Sequence, residues 1–181
     1  TRSLLSEEER LQALTSLWRN YCISSTYEPG SVSKPFTVAA GLETGLVSPD
    51  DTYYCEGYLD VAGNRIGCHN IYGDGTLTVG EAVERSCNVA LMYMADDIGY
   101  EDFCEYQNIF NFGLRTNIDL ADEARTENLI YNAEDMGEAD LATNSFGQNF
   151  NVTMIQMITA FCSIVNGGTY YEPHIVSKIT S

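Results

Sequence analysis

A mostly helical α+β fold, organised as one compact unit, is what this sequence predicts. Three observations carry that expectation. Capping boxes open helices at Ser6-x-x-Glu9, Thr78-x-x-Glu81 and Thr153-x-x-Gln156, each a hydroxyl followed three residues later by Glu or Gln. Apolar residues behind those caps recur at helical spacing, and period-two alternation is rare. The 181 residues are 44% hydrophobic, enough for a real core, and no internal repeat or low-complexity linker divides residues 1–181.

In order along the chain, Ser6 to Arg19 places Leu11, Leu14, Leu17 and Trp18 on one helical face. Tyr27-Glu28-Pro29-Gly30 forms a turn. Ser31 to about Thr44 has helical character, with Gly45 placed to end it. Pro35 fits only if that helix starts near Ser31, where the first N–H groups lack intrahelical partners anyway. Residues 46–76 read as a loop-rich insert, marked by Asp50-Asp51, Gly57, Gly67 and Gly73-Asp74-Gly75, with a short hairpin turning at Gly63-Asn64. Helices return over Val79–Arg85, Asn88–Ile98 and Glu101–Phe112, the last followed by Gly113. Met154 to Val165 is the longest apolar stretch. Its 12 residues include Gln156, Thr159 and Ser163, which makes it a buried helix rather than a membrane span. Thr169 to Val176 is a strand candidate that Pro173 confines to an edge or an end.

Charge narrows the partners. Nine Lys and Arg against 26 Asp and Glu give a net charge of −17. Nucleic-acid affinity comes from cationic neutralisation of phosphates, so a nucleic-acid partner is excluded, and an anionic membrane surface is equally unfavourable. The acidic run from Asp119 to Glu138 reads as solvated surface. Thr1 to Leu5, followed by Ser6-Glu7-Glu8-Glu9, lack the apolar core of a signal peptide, so any targeting segment is expected outside the chain.

Six cysteines are too few for a disulfide scaffold. Cys55 and Cys68 flank the Gly63-Asn64 turn, with His69 and Asp74 close behind. A disulfide, a zinc site drawing on His69 and Asp74, and free thiols all fit that pattern. Cys104 and Cys162 lie among apolar helical residues and read as core.

Two short motifs carry chemistry. Ser31-Val32-Ser33-Lys34 puts a serine and a lysine on one face at a helix start. A serine hydroxyl attacks only when a base takes its proton, and a lysine can serve if burial lowers its pKa. The helix N-terminus adds N–H groups for a developing oxyanion. Taken alone, the same four residues equally describe an N-cap serine with a solvated lysine. Ser86-Cys87-Asn88 precedes an apolar helix and reads either as a cap or as a hydroxyl and an amide facing one side.

The two motifs in this order, about fifty residues apart, resemble the penicillin-binding proteins and serine β-lactamases. The flanks sharpen the resemblance toward the monofunctional, class B penicillin-binding transpeptidases. Tyr27 through Thr37 resembles their first-motif region, and Gly75-Thr76-Leu77-Thr78 through Ala90 their second. Ser145-Phe146-Gly147-Gln148, Val152-Thr153 and Asn166-Gly167-Gly168 with Pro173-His174 resemble the segment before their third motif. Asn149 stands where the family usually has glycine, and Ser33 replaces the commoner phenylalanine. No Lys-Thr-Gly occurs in the chain. The resemblance therefore implies the helical part of the transpeptidase domain, with most sheet strands outside the chain and slow acylation of this piece alone.

The resemblance also implies a peptidoglycan D,D-transpeptidase outside the membrane, in a membrane-anchored parent protein. Its partners would be stem peptides ending in D-Ala-D-Ala and β-lactams. Ser31 would be the nucleophile, Lys34 its base, Ser86 a proton relay, and Asn88 a substrate and Lys34 ligand, with no cofactor required. A β-lactam sensor, a β-lactamase-like hydrolase and an inert scaffold are the alternatives. The hydrolase would need a water-activating carboxylate that the sequence does not locate.

Overall fold

The computed structural model describes residues 6–180, so the reading placed on Thr1 to Leu5 lies outside the described residues. The capping box at Ser6 forms, with Glu9 N donating to the Ser6 hydroxyl and Ser6 N donating to the Glu9 carboxylate at 2.8 Å. It opens α1 (Glu7–Trp18). The apolar face expected on α1 is present but uncovered: Leu11, Leu14, Leu17 and Trp18 are all exposed. After α2 (Tyr21–Ser24) and β1 (Thr26–Tyr27), Gly30–Ser33 forms a single 3-10 turn. The α-helix expected from Ser31 starts at Lys34 instead, as α3 (Lys34–Thr44), with Pro35 in its first turn. Gly45 ends α3 at φ 72°, a left-handed conformation open to glycine at no steric cost.

Residues 46–76 carry more strand than the sequence suggested. β2 (Thr52–Cys55) pairs antiparallel with β5 (Gly75–Thr78), and β3 (Tyr58–Val61) pairs with β4 (Asn64–Gly67) inside it. The inner hairpin turns one residue earlier than expected. Ala62 and Gly63 take the positive φ values of 49° and 79° that a two-residue hairpin turn requires, and Asn64 belongs to β4.

The remaining elements are α4 (Val79–Glu84), α5 (Asn88–Ile98), α6 (Tyr100–Ile109), α7 (Glu138–Asn144), β6 (Val152–Thr153) and α8 (Met154–Val165), with a 3-10 turn at Glu127–Leu129. The boxes at Thr78 and Thr153 form as read. α6 stops short of Phe112 because Asn111 (φ 65°) and Gly113 (φ 80°) turn the chain left-handed and send the Phe112 ring inward. No strand forms over Thr169–Val176. The N–H groups of Ile175 and Val176 donate instead to the Asp119 carboxylate at 2.7 and 2.8 Å. Asp119 is thus a tie as well as a solvated acid. Cys104 is buried as expected, whereas Cys162 is exposed, because it sits on the outer side of α8.

Two cores meet on α3. One is built on α5, where Ala90, Leu91, Met94 and Ala95 have no exposed surface and pack toward α3, α7 and β2. The other surrounds Phe36, whose ring meets the edges of Phe110, Phe112 and Phe161 at 4.8, 5.0 and 5.2 Å. Aromatic contacts of this geometry add to the area they bury. α3 is therefore held on both faces, which fixes its N-terminus. No helix among the described residues is long and apolar enough to cross a membrane.

Candidate active site

Lys34, the first residue of α3, is only 2% exposed. A buried ammonium is costly unless every proton finds an acceptor. Lys34 Nζ donates to Ser86 O at 2.6 Å, Ser86 Oγ at 2.9 Å and Asn88 Oδ1 at 2.7 Å. Burial pulls its pKa below the ordinary lysine value, and the nearby Cys68 and Cys87 oppose that shift.

The turn between α4 and α5 makes this contact possible. Ser86 stands at φ 54°, so one residue presents both its carbonyl and its hydroxyl to the same ammonium. Cys87 follows as the cap of α5, its Sγ accepting from Ala90 N at 3.4 Å. Asn88 Nδ2 donates to Gly67 O at 3.2 Å, which fixes the amide orientation between Lys34 and β4.

Ser31 lies on the 3-10 turn one helical turn before Lys34, and it is exposed. Its carbonyl accepts from Lys34 N. Among the described residues no hydrogen bond joins Ser31 Oγ to Lys34 Nζ. The structure thus brings Lys34, Ser86 and Asn88 into direct contact and sets Ser31 beside them through the backbone.

The Ser31 turn is braced by the Phe146-Gly147-Gln148 segment. Gly30 N donates to Gly147 O at 2.7 Å, and Ser33 Oγ donates to Gly30 O at 2.9 Å. Gly147 has φ 87°, and a Cβ there would collide with Gly30 O and Ser33 Oγ. Thr37 Oγ1 donates to Ser145 O at 2.8 Å, and Asn149 N donates to Glu28 Oε1 at 2.9 Å. Asn149 adopts φ 64°, the left-handed region in which asparagine is one of the few tolerated substitutes for glycine. Both departures from the family pattern, Ser33 and Asn149, therefore fit the local geometry.

The cysteines gather differently from the sequence grouping. Cys55, Cys68, Cys87 and Asp74 have ligand atoms all within 4.8 Å of one another. His69 is exposed and stands outside that set, its Nδ1 3.7 Å from Cys68 Sγ. All six cysteines are unbridged. Burial pushes the Cys87 thiol up to about 12. Burial would raise Cys68 as well, but donation from the N–H groups of Asn70, Asn88 and Val89 and from the Cys87 thiol leaves it below the ordinary value. The sequence signal for Cys87 was its place inside Ser86-Cys87-Asn88, where it reads as a spacer.

Residues 4–181 match the family described as the penicillin binding protein transpeptidase domain. The chain belongs to the penicillin-binding protein transpeptidase family. Among relatives of this family, stage V sporulation protein D of Bacillus subtilis is 38% identical over 161 residues, 88% of this chain and 25% of that protein. The peptidoglycan D,D-transpeptidase MrdA of Escherichia coli is 26% identical over 167 residues, 87% of this chain and 26% of that protein. The chain thus spans about a quarter of the length of the curated relatives it matches. Penicillin-binding protein 3 of Mycobacterium tuberculosis, solved with aztreonam, superposes with a TM-score of 0.78 at 27% identity, covering 87% of this chain and 35% of that one. The transpeptidase domain of Burkholderia pseudomallei penicillin-binding protein 3 gives 0.82 at 24% identity, covering 90% and 48%, a likeness of fold. The helix-rich α+β architecture is that of part of a penicillin-binding transpeptidase domain.

Proposed function

We propose that this chain carries the acylation centre of a peptidoglycan D,D-transpeptidase working on the outer face of the bacterial membrane, in a membrane-anchored parent protein. The observation that carries the reading is the buried Lys34 ammonium, held by Ser86 and Asn88 one helical turn from the exposed Ser31. Ser86 O and Asn88 Oδ1 can only accept hydrogen bonds. A neutral Lys34 keeps two N–H donors for them and has one lone pair, which accepts the proton of the approaching Ser31 Oγ. Ser31 Oγ attacks the carbonyl of the penultimate D-alanine while its proton passes to Lys34. The C–N bond breaks, the terminal D-alanine leaves with a proton relayed by Ser86, and an ester on Ser31 remains. An amine from a second stem peptide attacks that ester, forms the cross-link and returns the proton to Ser31. A β-lactam follows the first half of this course. Its amide lies in a ring, so the broken bond releases no leaving group and the ester persists.

Incubating the complete transpeptidase domain with a stem peptide ending in D-Ala-D-Ala and an acceptor amine tests the reading. The expected result is release of D-alanine and a cross-linked product by mass spectrometry, both lost in Ser31→Ala. Cross-linking that survives Ser31→Ala would overturn it.

A further inference from the structure

We propose that an asparagine-lined cavity behind the Ser31 turn is a subsite for N-acetylated sugar, the glycan part of the peptidoglycan strand. The proposal rests on the transpeptidase reading and concerns the part of the substrate that the acylation centre does not touch. The cavity, about 410 Å3 in volume, lies between the 3-10 turn at Glu127–Leu129, residues 130–135 and the segment entering β6. Small-ligand sites typically measure about 300–1,000 Å3.

The state of the asparagines singles this cavity out. Ten of the thirteen asparagines in the chain commit a side-chain atom to a hydrogen bond within the protein. The three that do not among the described residues, Asn128, Asn132 and Asn151, all line this one cavity. A carboxamide donates and accepts at once, so three of them complement sugar hydroxyls and an acetamido group, which also do both. The Asp135 carboxylate lines the same cavity and only accepts, so it takes further hydroxyl donors. No lysine or arginine lines it. An anionic ligand would meet Asp135 with no cation to offset the repulsion, which disfavours the stem-peptide carboxylates and leaves the neutral sugars. The Tyr131 ring supplies an apolar wall for a sugar face.

Backbone contacts join the cavity to the acylation centre. Asn151 N donates to Leu129 O at 3.1 Å and ties two of its walls together. Asn149, on its rim, donates through its backbone to Glu28 Oε1 at 2.9 Å and through its side chain to Asp140 Oδ1 at 2.7 Å. Two residues earlier, Gly147 O holds Gly30 N and with it the turn that carries Ser31. A sugar bound here sits beside the turn that receives the strand's stem peptide.

Titrating the complete transpeptidase domain with an N-acetylglucosamine tetramer, a neutral probe without stem peptide, tests the subsite. NMR of isotope-labelled asparagine follows the side-chain amides of Asn128, Asn132 and Asn151 in the wild-type domain and in Ser31→Ala. Saturable shifts of those signals are expected in both proteins. Binding should be about tenfold weaker in the Asn132→Ala, Asn151→Ala double variant, as for two lost hydrogen bonds. Unmoved asparagine signals in the wild-type domain, or equal affinity in the double variant, would overturn the proposal. Shifts produced by a free D-Ala-D-Ala stem peptide and not by the tetramer would do the same, because the cavity would then be a peptide site. Ser31→Ala cannot be acylated, so sugar binding is read apart from acylation. A domain that binds the tetramer but releases no D-alanine refutes the transpeptidase reading alone. One that releases D-alanine and ignores the tetramer refutes the sugar subsite alone.

Discussion

Replacing Gly147 with alanine tests how the turn carrying Ser31 is held. Two costs follow from the structure. Gly147 has φ 87°, so any side chain there pays a left-handed backbone penalty of roughly 1–2 kcal/mol. The added methyl also meets Gly30 O and Ser33 Oγ, so the Gly30 N to Gly147 O hydrogen bond must stretch or break, a further loss of about 0.5–1.5 kcal/mol. The sum is about 1.5–3.5 kcal/mol, a fall in melting temperature of roughly 3–14 °C for a chain of this size. Ser31 sits on the displaced turn, and a shift of about 1 Å in a reacting group costs on the order of 10²-fold in rate. Gly167→Ala is the control, because Gly167 has φ 92° and a methyl added there would meet nothing within 4 Å. It keeps the backbone penalty without the collision. Calorimetry gives the stability, and stopped-flow acylation of the complete domain by a fluorescent penicillin gives the rate. Gly147→Ala should lose both, and Gly167→Ala stability alone. Equal melting shifts in the two variants with undiminished acylation in Gly147→Ala would refute the bracing argument.

Four further outcomes are expected. Acylation should rise with pH, with a midpoint below the ordinary lysine value of 10.5, because burial disfavours the Lys34 ammonium and deprotonation frees its lone pair. Asn88→Asp places a carboxylate where Asn88 Oδ1 accepts from Lys34 at 2.7 Å, favours the charged form, and should move that midpoint upward and slow acylation at neutral pH; an unmoved profile in stopped-flow rates contradicts the assignment of Lys34 as base. Phe36→Ala removes a ring that meets three others and should cost about 3–5 kcal/mol by denaturant unfolding. Thr153→Ala removes the cap of α8 and should cost about 1 kcal/mol, or a fall of roughly 2–4 °C in melting temperature.

Local rules made much of the fold legible. The hydroxyl-to-carboxylate spacing at Ser6 and Thr78 and its amide counterpart at Thr153 each placed a helix start correctly, because a cap is decided within four residues. Pro35 and Gly45 likewise bounded α3. What escaped depends on distant partners. The pairing of β2 with β5 joins residues across an intervening hairpin, and neither strand alternates for long enough to announce itself. The Thr169–Val176 stretch alternates weakly, yet Asp119 takes two of its N–H groups and no ladder forms. At the site, Ser31, Lys34, Ser86 and Asn88 were legible as two motifs, but the orientation of Lys34 toward Ser86 rather than Ser31 was not, since it depends on the left-handed Ser86. Cys87 was hidden for the same reason: its partners come from the far side of the β3–β4 hairpin.

The proposed transpeptidase reaction requires Ser31 to be the residue that Lys34, Ser86 and Asn88 serve. Peptide mapping of the complete domain after reaction with benzylpenicillin tests that most directly. One penicilloyl adduct per protein, on the peptide containing Ser31 and absent from Ser31→Ala, is the expected result. An adduct on any other residue, or one that persists in Ser31→Ala, would contradict it.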